Sequence, residues 1–203
     1  MPPRTPPRRT AGRPSAPARL APRASLRASQ RWRLLAATTE AVASHGYADA
    51  SVAHVIALAG VSRKTFYEYF TNKEDGFLAA YAELSARMIA AMAAAGAAAA
   101  RPRAQRRAQL ATFLATLTTE RAAARVFMVD VLGAGPRALA ARERINAAFA
   151  EAVLGPAVPA LRRAAIVGGV NAVVTGALLA SRAPDLRPLL DPLCAFVEHA
   201  LRA

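Results

Sequence analysis

The chain has 203 residues and a formal net charge of +14; 54% of its residues are hydrophobic and only 6% are aromatic. This length allows one or two domains with a sizeable core, and the alanine-rich composition favours an all-α fold because alanine is the best helix former. The single cysteine, Cys194, excludes an intramolecular disulfide framework and suits a reducing, cytoplasmic location.

The N-terminal 28 residues are rich in Pro, Arg, Ala and Ser and show no periodic apolar pattern. Residues 1–39 contain nine arginines and no acidic residue. We therefore expect a disordered basic arm over residues 1–28, which either attracts phosphate or anionic lipid or is a solvated tail. The arm lacks the continuous apolar stretch of a signal peptide.

A first helix is predicted from Ser29 to His45, because the apolar residues between Leu34 and Val42 follow the spacing of one buried helix face. Gly46 closes it, since glycine readily takes the left-handed conformation that ends helices. A second helix is predicted over residues 51–59, with Ser51 as its N-cap.

A tight turn, Gly60-Val61-Ser62, separates this second helix from a short third helix that ends near Tyr69. Two short helices joined by a turn containing glycine form a helix-turn-helix. Phe66 and Phe70 are four residues apart and are predicted to hold the third helix against the second. The opposite face then offers guanidinium, ammonium, hydroxyl and phenol donors, which suit base edges and phosphates in a major groove.

The remaining two thirds of the chain also have helical patterns. Thr71 and Glu74 have the spacing of a capping box and open a long helix that Pro102 ends. The stretch 164–181 has no charged residue, but its glycines and polar residues favour a buried packing helix over a membrane span. Five further helices, which bring the total to about nine, are predicted at residues 104–118, 121–132, 137–153, 159–182 and 187–202.

Landmarks at fixed offsets lie between Arg33 and Glu74. They are His45-Gly46-Tyr47, then GVSRKTFYEYF over residues 60–70, then Asn72-Lys73-Glu74. This series resembles the N-terminal DNA-binding domain of TetR-family transcriptional repressors, over about residues 30–81. The resemblance implies a ligand-responsive regulator, by family default a repressor, that binds a palindromic double-stranded DNA operator and is released from it by a small molecule.

The resemblance also implies which residues contact DNA. Those at the start of the recognition helix touch bases or adjacent phosphates, and the others hold the DNA backbone. By position they are Ser51, Arg63, Lys64, Thr65, Tyr67, Tyr69 and Lys73.

Alternative roles remain open for several of these positions. Tyr67 could instead pack on the first helix, and Lys73 could instead lie in solvent without a partner. Ser51 could act only as an N-cap. Glu68 is acidic and disfavours nearby phosphates, although a carboxylate also accepts from a cytosine amine. Val42 stands where the family usually has an aromatic residue, which changes core volume without an evident functional meaning.

The expected domains are the arm at residues 1–28, a helix-turn-helix domain at 29–76 and a helical effector-binding and dimerisation domain at 77–203. The helices at 159–182 and 187–202 carry more small and apolar residues than the core of one small domain can bury. We expect them to pair across a two-fold axis as a four-helix bundle in a homodimer. Such pairing sets two recognition helices about 34–36 Å apart, one turn of DNA.

Adaptable methionines and aromatic residues in the second domain predict a pocket for a small apolar or aromatic effector, with two asparagines to orient it. The alternative is that they form ordinary core. Binding of the effector is expected to shift the helix that starts at Lys73. The predicted pocket residues are Met88, Met92, Phe113, Leu117, Phe127, Val131, Asn146, Phe149 and Asn171.

An enzyme is not expected, because the three histidines are scattered and neither a glycine-rich phosphate loop nor a metal-ligand spacing occurs. We therefore expect no cofactor and no metal. One rival is an architectural nucleic-acid binder without sequence preference, driven by the basic arm. Another is a dimeric ligand-binding module in which the helix-turn-helix no longer binds DNA.

Overall fold

The computed structural model describes residues 23–181 and 183–202, and every regular element within them is helical. The all-α fold and the nine predicted α-helices are confirmed for this part of the chain. Residues 1–22 of the predicted arm lie outside the described residues. The helices are α1 (Arg23–Asp49), α2 (Val52–Ala59), α3 (Arg63–Tyr67), α4 (Lys73–Ala97), α5 (Pro102–Thr119), α6 (Arg121–Met128), α7 (Pro136–Leu154), α8 (Ala160–Ala180) and α9 (Leu190–Arg202).

Helix α1 begins earlier than predicted and is interrupted where its end is predicted. It begins at Arg23 instead of Ser29, and the Tyr69 hydroxyl holds its first turns by donating to the Arg27 carbonyl oxygen at 3.1 Å and lying 3.2 Å from Gln30 Oε1. Gly46 has φ 76° and ψ 160°, which is not a helical conformation, so the regular helix ends at His45 and one separate turn follows to Asp49. The glycine therefore ends the first helix at the predicted position.

The start of α4 also differs from the predicted capping box of Thr71 and Glu74. Asn72 is the N-cap: its backbone is extended, and its Oδ1 accepts a hydrogen bond from the Asp75 N–H at 2.9 Å. The Thr71 hydroxyl instead donates to the Asp75 carboxylate. An extended Asn72 places its own side chain over the first turn, so the cap lies one residue later than the sequence spacing indicates.

Helix α4 is the central element and packs against α1, α5, α6 and α7. A column of aromatic contacts runs along it: Tyr47 meets Phe77 at 4.8 Å between ring centroids, Phe77 meets Tyr81 at 6.2 Å, and Tyr81 meets Phe127 at 5.4 Å. Burial raises the pKa of Tyr81 to about 12. The domain boundary predicted between residues 76 and 77 falls inside this helix and stays a prediction.

Two helices, α4 and α8, have the length and the hydropathy that a membrane span requires. The core helices of soluble proteins meet the same criterion. Helix α4 buries Phe77, Tyr81, Met88 and Met92 against its neighbours, and α8 buries one face that includes Val170 and Asn171. Their hydropathy alone therefore assigns neither helix to a membrane.

Candidate DNA-binding surface and ligand cavities

The helix-turn-helix is built from α2, the turn at residues 60–62 and α3. The Ser51 hydroxyl caps α2 by accepting from the His54 N–H at 3.2 Å, and the Ser62 hydroxyl caps α3 by accepting from the Thr65 N–H at 3.0 Å. Gly60 ends α2 with φ 61° and ψ 43°, a left-handed conformation that glycine adopts without strain. The glycine turn predicted from the sequence is therefore present at this position.

Two phenylalanines fix the orientation of α3. Phe66 is 1% exposed and Phe70 is 7% exposed, and their ring centroids are 5.5 Å apart. Gly76 of α4 lies beneath both rings, so that an added Cβ there would stand 3.4 Å from Phe66 Cζ. These two rings therefore rest directly on the first turn of α4.

The opposite face of α3 is open to solvent. Arg63, Lys64 and Tyr67 are exposed, and Thr65 is half-buried with its hydroxyl 3.0 Å from that of Ser62. In the described part of the chain, neither Arg63 nor Lys64 forms an ion pair. The face therefore presents two uncompensated cations and a phenol at one rigid surface.

Tyr69 and Lys73 are engaged within the protein. The Tyr69 hydroxyl holds the start of α1, as described above. The Lys73 ammonium donates to the carbonyl oxygens of Tyr47 at 2.8 Å and Ala48 at 3.2 Å, and lies 4.5 Å from the centroid of the Tyr47 ring. A cation there satisfies carbonyls at the end of α1. The sequence gives no sign of these two long-range contacts.

Residues 34–80 match the family model described as "Bacterial regulatory proteins, tetR family". They contain α2, α3, most of α1 and the first turns of α4. This segment is a tetR-family domain. The resemblance noted in the sequence is thereby confirmed over these residues.

Solved structures of tetR-family and related regulators share the fold beyond this domain. The fatty acid degradation regulator FadR from Bacillus halodurans has a TM-score of 0.73 at 20% identity, covering 81% of this chain and 96% of its own. FadR from Bacillus subtilis in complex with stearoyl-CoA has a TM-score of 0.74 at 20% identity, covering 82% and 96%. SmeT, the repressor of the Stenotrophomonas maltophilia multidrug efflux pump SmeDEF, has 0.66 at 19% identity, covering 85% and 88%. A search of curated proteins gives no match.

An apolar groove of about 310 Å³ lies between α4, α5 and α6 and is called the α4–α5–α6 groove below. Of the predicted pocket residues, Met88, Leu117 and Phe127 line it. The groove is also lined by Leu84, Arg87, Thr116 and Glu120, which no sequence pattern indicates as pocket residues. These residues come from separate parts of the sequence, so only the packing of the three helices brings them into one lining.

The other predicted pocket residues lie in the packed interior or beside another cavity. Phe113 and Phe149 are in edge contact at 5.4 Å between ring centroids, and Met92 and Val131 are at most 2% exposed. The amide groups of Asn171 and Asn146 are hydrogen-bonded to each other at 3.1 Å, and Asn146 lines a separate cavity between α7 and α8. Their role in effector binding stays a prediction.

A smaller pocket of about 250 Å³ adjoins the groove and is called the junction pocket. It shares Leu84, Arg87, Glu120 and Ala123 with the groove, and Trp32 of α1 forms its outer wall. The Arg87 guanidinium lies 5.0 Å from the Trp32 ring centroid, a cation–π distance. A ligand in this region therefore touches the DNA-binding half and the second half of the molecule together.

An ion cluster joins α7 to the first turn of α4. One Arg137 nitrogen lies 2.8 Å from Glu74 Oε2 and 3.1 Å from Asp75 Oδ1. Its partners are more than sixty residues away in the sequence, so no local pattern points to them. Arg137 therefore ties α7 to the end of α4 on which Phe66 and Phe70 rest.

A polar cleft of about 480 Å³ lies between the C-terminal part of α1, helix α6 and the end of α8, and is called the α1–α6–α8 cleft. Arg125 lines it and lies 3.5 Å from the Asp130 carboxylate, whose side chain is 7% exposed. Burial raises the pKa of Asp130, and Arg125 opposes that rise. In the described residues no group of three or more His, Cys, Asp and Glu side chains could hold a metal ion.

Asp130→Asn is expected to stabilise the protein by about 1 kcal/mol at pH 7, because it removes a buried carboxylate with an unsatisfied oxygen. A raised folded-state pKa means that the folded protein holds the proton more tightly than the unfolded chain does. The favourable contribution of Asp130 is thus present at low pH and is lost as the pH rises through the folded-state pKa. The advantage of the variant should shrink below about pH 4.

Urea unfolding of the wild type and the variant from pH 3.5 to pH 7.5 measures this difference. Asp49→Asn, which changes an exposed carboxylate, is the control and should leave the free energy of unfolding nearly constant. A variant less stable than the wild type at pH 7 would mean that the ion pair with Arg125 outweighs the burial of the carboxylate.

Proposed function

We propose that the protein is a ligand-responsive, site-specific DNA-binding transcriptional regulator that acts as a homodimer in the cytoplasm and carries out no chemical reaction. The observation that carries this proposal is the free face of α3, where Arg63 and Lys64 are exposed and unpaired within the described chain while Phe66 and Phe70 fix the helix from behind. Rigid presentation of such donors suits readout of base edges in a major groove.

The residues proposed to contact DNA form two groups, those that are free to meet DNA and those that are engaged within the protein. Arg63, Lys64, Thr65 and Tyr67 lie on or beside the free face. The Ser51 oxygen caps α2 by accepting from the His54 N–H, and its O–H can still donate to a phosphate. The Tyr69 hydroxyl holds the segment after α3 against the start of α1, and the Lys73 ammonium holds the start of α4 against the end of α1. Both groups would have to leave these contacts, or share them, to bind the DNA backbone. This division assigns base readout to the start of α3 and orientation to its surroundings.

Arg63→Ala is expected to weaken binding to the operator by about 1–3 kcal/mol, because a base-edge contact is lost, and to change binding to shuffled DNA much less. Fluorescence anisotropy on DNA flanking the protein's own gene and on shuffled DNA, at two salt concentrations, measures both affinities. Arg103→Ala is the matched control, since Arg103 is exposed on α5.

Equal losses for both variants, on both DNAs, would contradict site-specific readout by α3. Salt-labile binding of equal strength to both DNAs would favour the architectural binder driven by the basic arm. Absence of binding to either DNA would favour a ligand-binding module without a DNA-binding role. A chain that starts at Arg23 keeps all nine helices and separates the contribution of the arm from that of α3.

The effector proposed for this regulator is a small apolar or aromatic molecule held in the α4–α5–α6 groove. The groove is lined by Met88, Leu117 and Phe127, and a volume of about 310 Å³ lies in the range of small-ligand sites. The solved complex of FadR from Bacillus subtilis with stearoyl-CoA supports an acyl chain as one candidate effector.

We propose that ligand binding releases the protein from DNA through a movement of the helices around α6. This helix lies between the groove and the α1–α6–α8 cleft and packs against α1, while the groove's other wall is α4, which carries α3 on its first turn. A ligand that wedges these helices apart moves α1 and α4 together. It must bind the DNA-free arrangement more tightly than the DNA-bound one, since equal affinity would shift nothing.

Stearate, which has the acyl chain without the coenzyme, is expected to change the emission of Trp32, the only tryptophan in the chain, because Trp32 lines the junction pocket that adjoins the groove. Ala123→Leu, which narrows both spaces, should weaken that binding about tenfold by overpacking. The fluorescent probe 1-anilinonaphthalene-8-sulfonate tests the aromatic alternative through its own emission. Ala140→Leu on the exposed side of α7 is the control. No response to either ligand would contradict an effector site in the groove.

The dimer is proposed to form through α8 and α9, which the sequence analysis placed at residues 159–182 and 187–202. One row of α8 exposes Gly168, Ala172 and Gly176, and both glycines face open space. Phe196 of α9 is 41% exposed and packs over Gly169, where an added Cβ would stand only 2.8 Å from its ring. Small residues next to an exposed aromatic ring suit close pairing of helices across a two-fold axis.

Ala172→Glu is expected to convert the dimer to a monomer at micromolar concentration, because it buries a charge at the centre of the proposed interface. Sedimentation velocity measures the change. Ala140→Glu introduces the same charge on an exposed face of α7 and should leave the dimer intact. A dimer that persists in the first variant would place the interface elsewhere.

A further inference from the structure

The α1–α6–α8 cleft is larger and more polar than the α4–α5–α6 groove, and the proposed effector mechanism leaves it unused. We propose that this cleft is a second ligand site, which binds a small phosphorylated molecule and so makes the regulator responsive to two different compounds. The proposal goes beyond the function proposed above, because binding at the cleft is measurable without DNA.

Two arginines form the cationic wall of the cleft. Arg121 and Arg125 are one helical turn apart on α6 and both line the cleft, so their side chains lie on the same side of the helix. Arg121 is exposed and forms no ion pair with any residue that the structure describes. A guanidinium group donates two parallel hydrogen bonds to phosphate oxygens, and a pair of them matches a doubly charged phosphate.

A buried acid lies beside one of these arginines. Arg125 Nε lies 3.5 Å from Asp130 Oδ2, and the Asp130 side chain is only 7% exposed while that of Arg125 is 52% exposed. The two groups are at ion-pair distance without a hydrogen bond, since Asp130 Oδ2 has no hydrogen-bond partner. The half-exposed guanidinium of Arg125 therefore keeps N–H donors that an anion in the cleft can use.

The opposite wall supplies further hydrogen-bonding groups from α1 and from the end of α8. Ser44, His45 and Ser181 line the cleft, and the His45 ring is stacked on that of His54 at 4.3 Å between centroids. Glu40 is the one carboxylate among the described lining residues, and it accepts from the Ser44 hydroxyl at 3.3 Å. The Asp130 carboxylate behind the lining offsets Arg125, so Arg121 is the cation of the lining that has no ion pair among the described residues.

The dimensions of the cleft favour a small molecule over the DNA backbone. About 480 Å³ is in the range of sites that enclose a ligand of drug size. The lining comes from α5, α6 and α8 as well as α1, and no residue of α2 or α3 belongs to it. The site is thus separate from the free face of α3, and its occupant bridges the bend of α1 at Gly46 to α6.

Isothermal titration of the full-length protein with inorganic pyrophosphate tests the proposal. Arg121→Gln is expected to weaken binding about tenfold, the loss that follows from removing a charge-assisted hydrogen bond. The double variant R101Q/R103Q removes two exposed charges at the start of α5 and should change the affinity less than about twofold. The arm at residues 1–22 is identical in all variants, so its attraction for anions cancels in the comparison.

Glu40→Gln provides a change in the opposite direction. Removal of the one carboxylate should tighten pyrophosphate binding severalfold, whereas Glu151→Gln, an exposed acid on α7, should not. Thermal unfolding of each variant establishes that it is folded before titration.

Equal losses in R121Q and R101Q/R103Q would overturn the proposal, since they would mean that pyrophosphate responds only to total charge. Citrate bound as tightly as pyrophosphate would overturn the assignment of a phosphate ligand. Weaker pyrophosphate binding by R121Q, tighter binding by E40Q and unchanged binding by the control variants would together establish the site. These outcomes are independent of operator binding, so failure of either proposal is recognised separately.

Discussion

The packing of α3 on the first turn of α4 is the contact on which the rest of the arrangement depends. Phe66 and Phe70 lie over Gly76, where a glycine lets the rings approach the helix backbone. Because α4 has 25 residues and also lines the α4–α5–α6 groove and the junction pocket, α3 and both of these cavities contact the same helix. The aromatic column from Tyr47 to Phe127 fills the space around that element and ties α1 and α6 to it.

The helix-turn-helix was predictable because its determinants are local. Gly60 with its left-handed backbone, the serine N-caps and the spacing of Phe66 and Phe70 each act within a few residues, so sequence spacing is sufficient to place them. The start of α4 was misplaced by one residue, since Thr71 and Asn72 are both competent caps and only the backbone conformation decides between them.

The ligand cavities were less predictable because they depend on packing between distant helices. Methionine and phenylalanine residues at helical spacing have the same pattern whether they fill a core or line a groove. Met88 and Phe127 line the groove, whereas Met92 and Phe113 are closed off within the interior. The arginine clusters were missed for the same reason: Arg137 meets Glu74, and Arg125 meets Asp130 in a turn whose path the sequence does not define.

The hydrogen bonds that Tyr69 makes to the start of α1 also determine where the basic N-terminal segment is attached. Its last residue joins the helix at Arg23, one turn from the Arg27 carbonyl that Tyr69 holds beside the end of α3. Twenty-two residues span at most about 75 Å. The five arginines of that segment therefore all lie within about 75 Å of the start of α1. Within that distance their effective concentration near bound DNA far exceeds that of free peptide in solution.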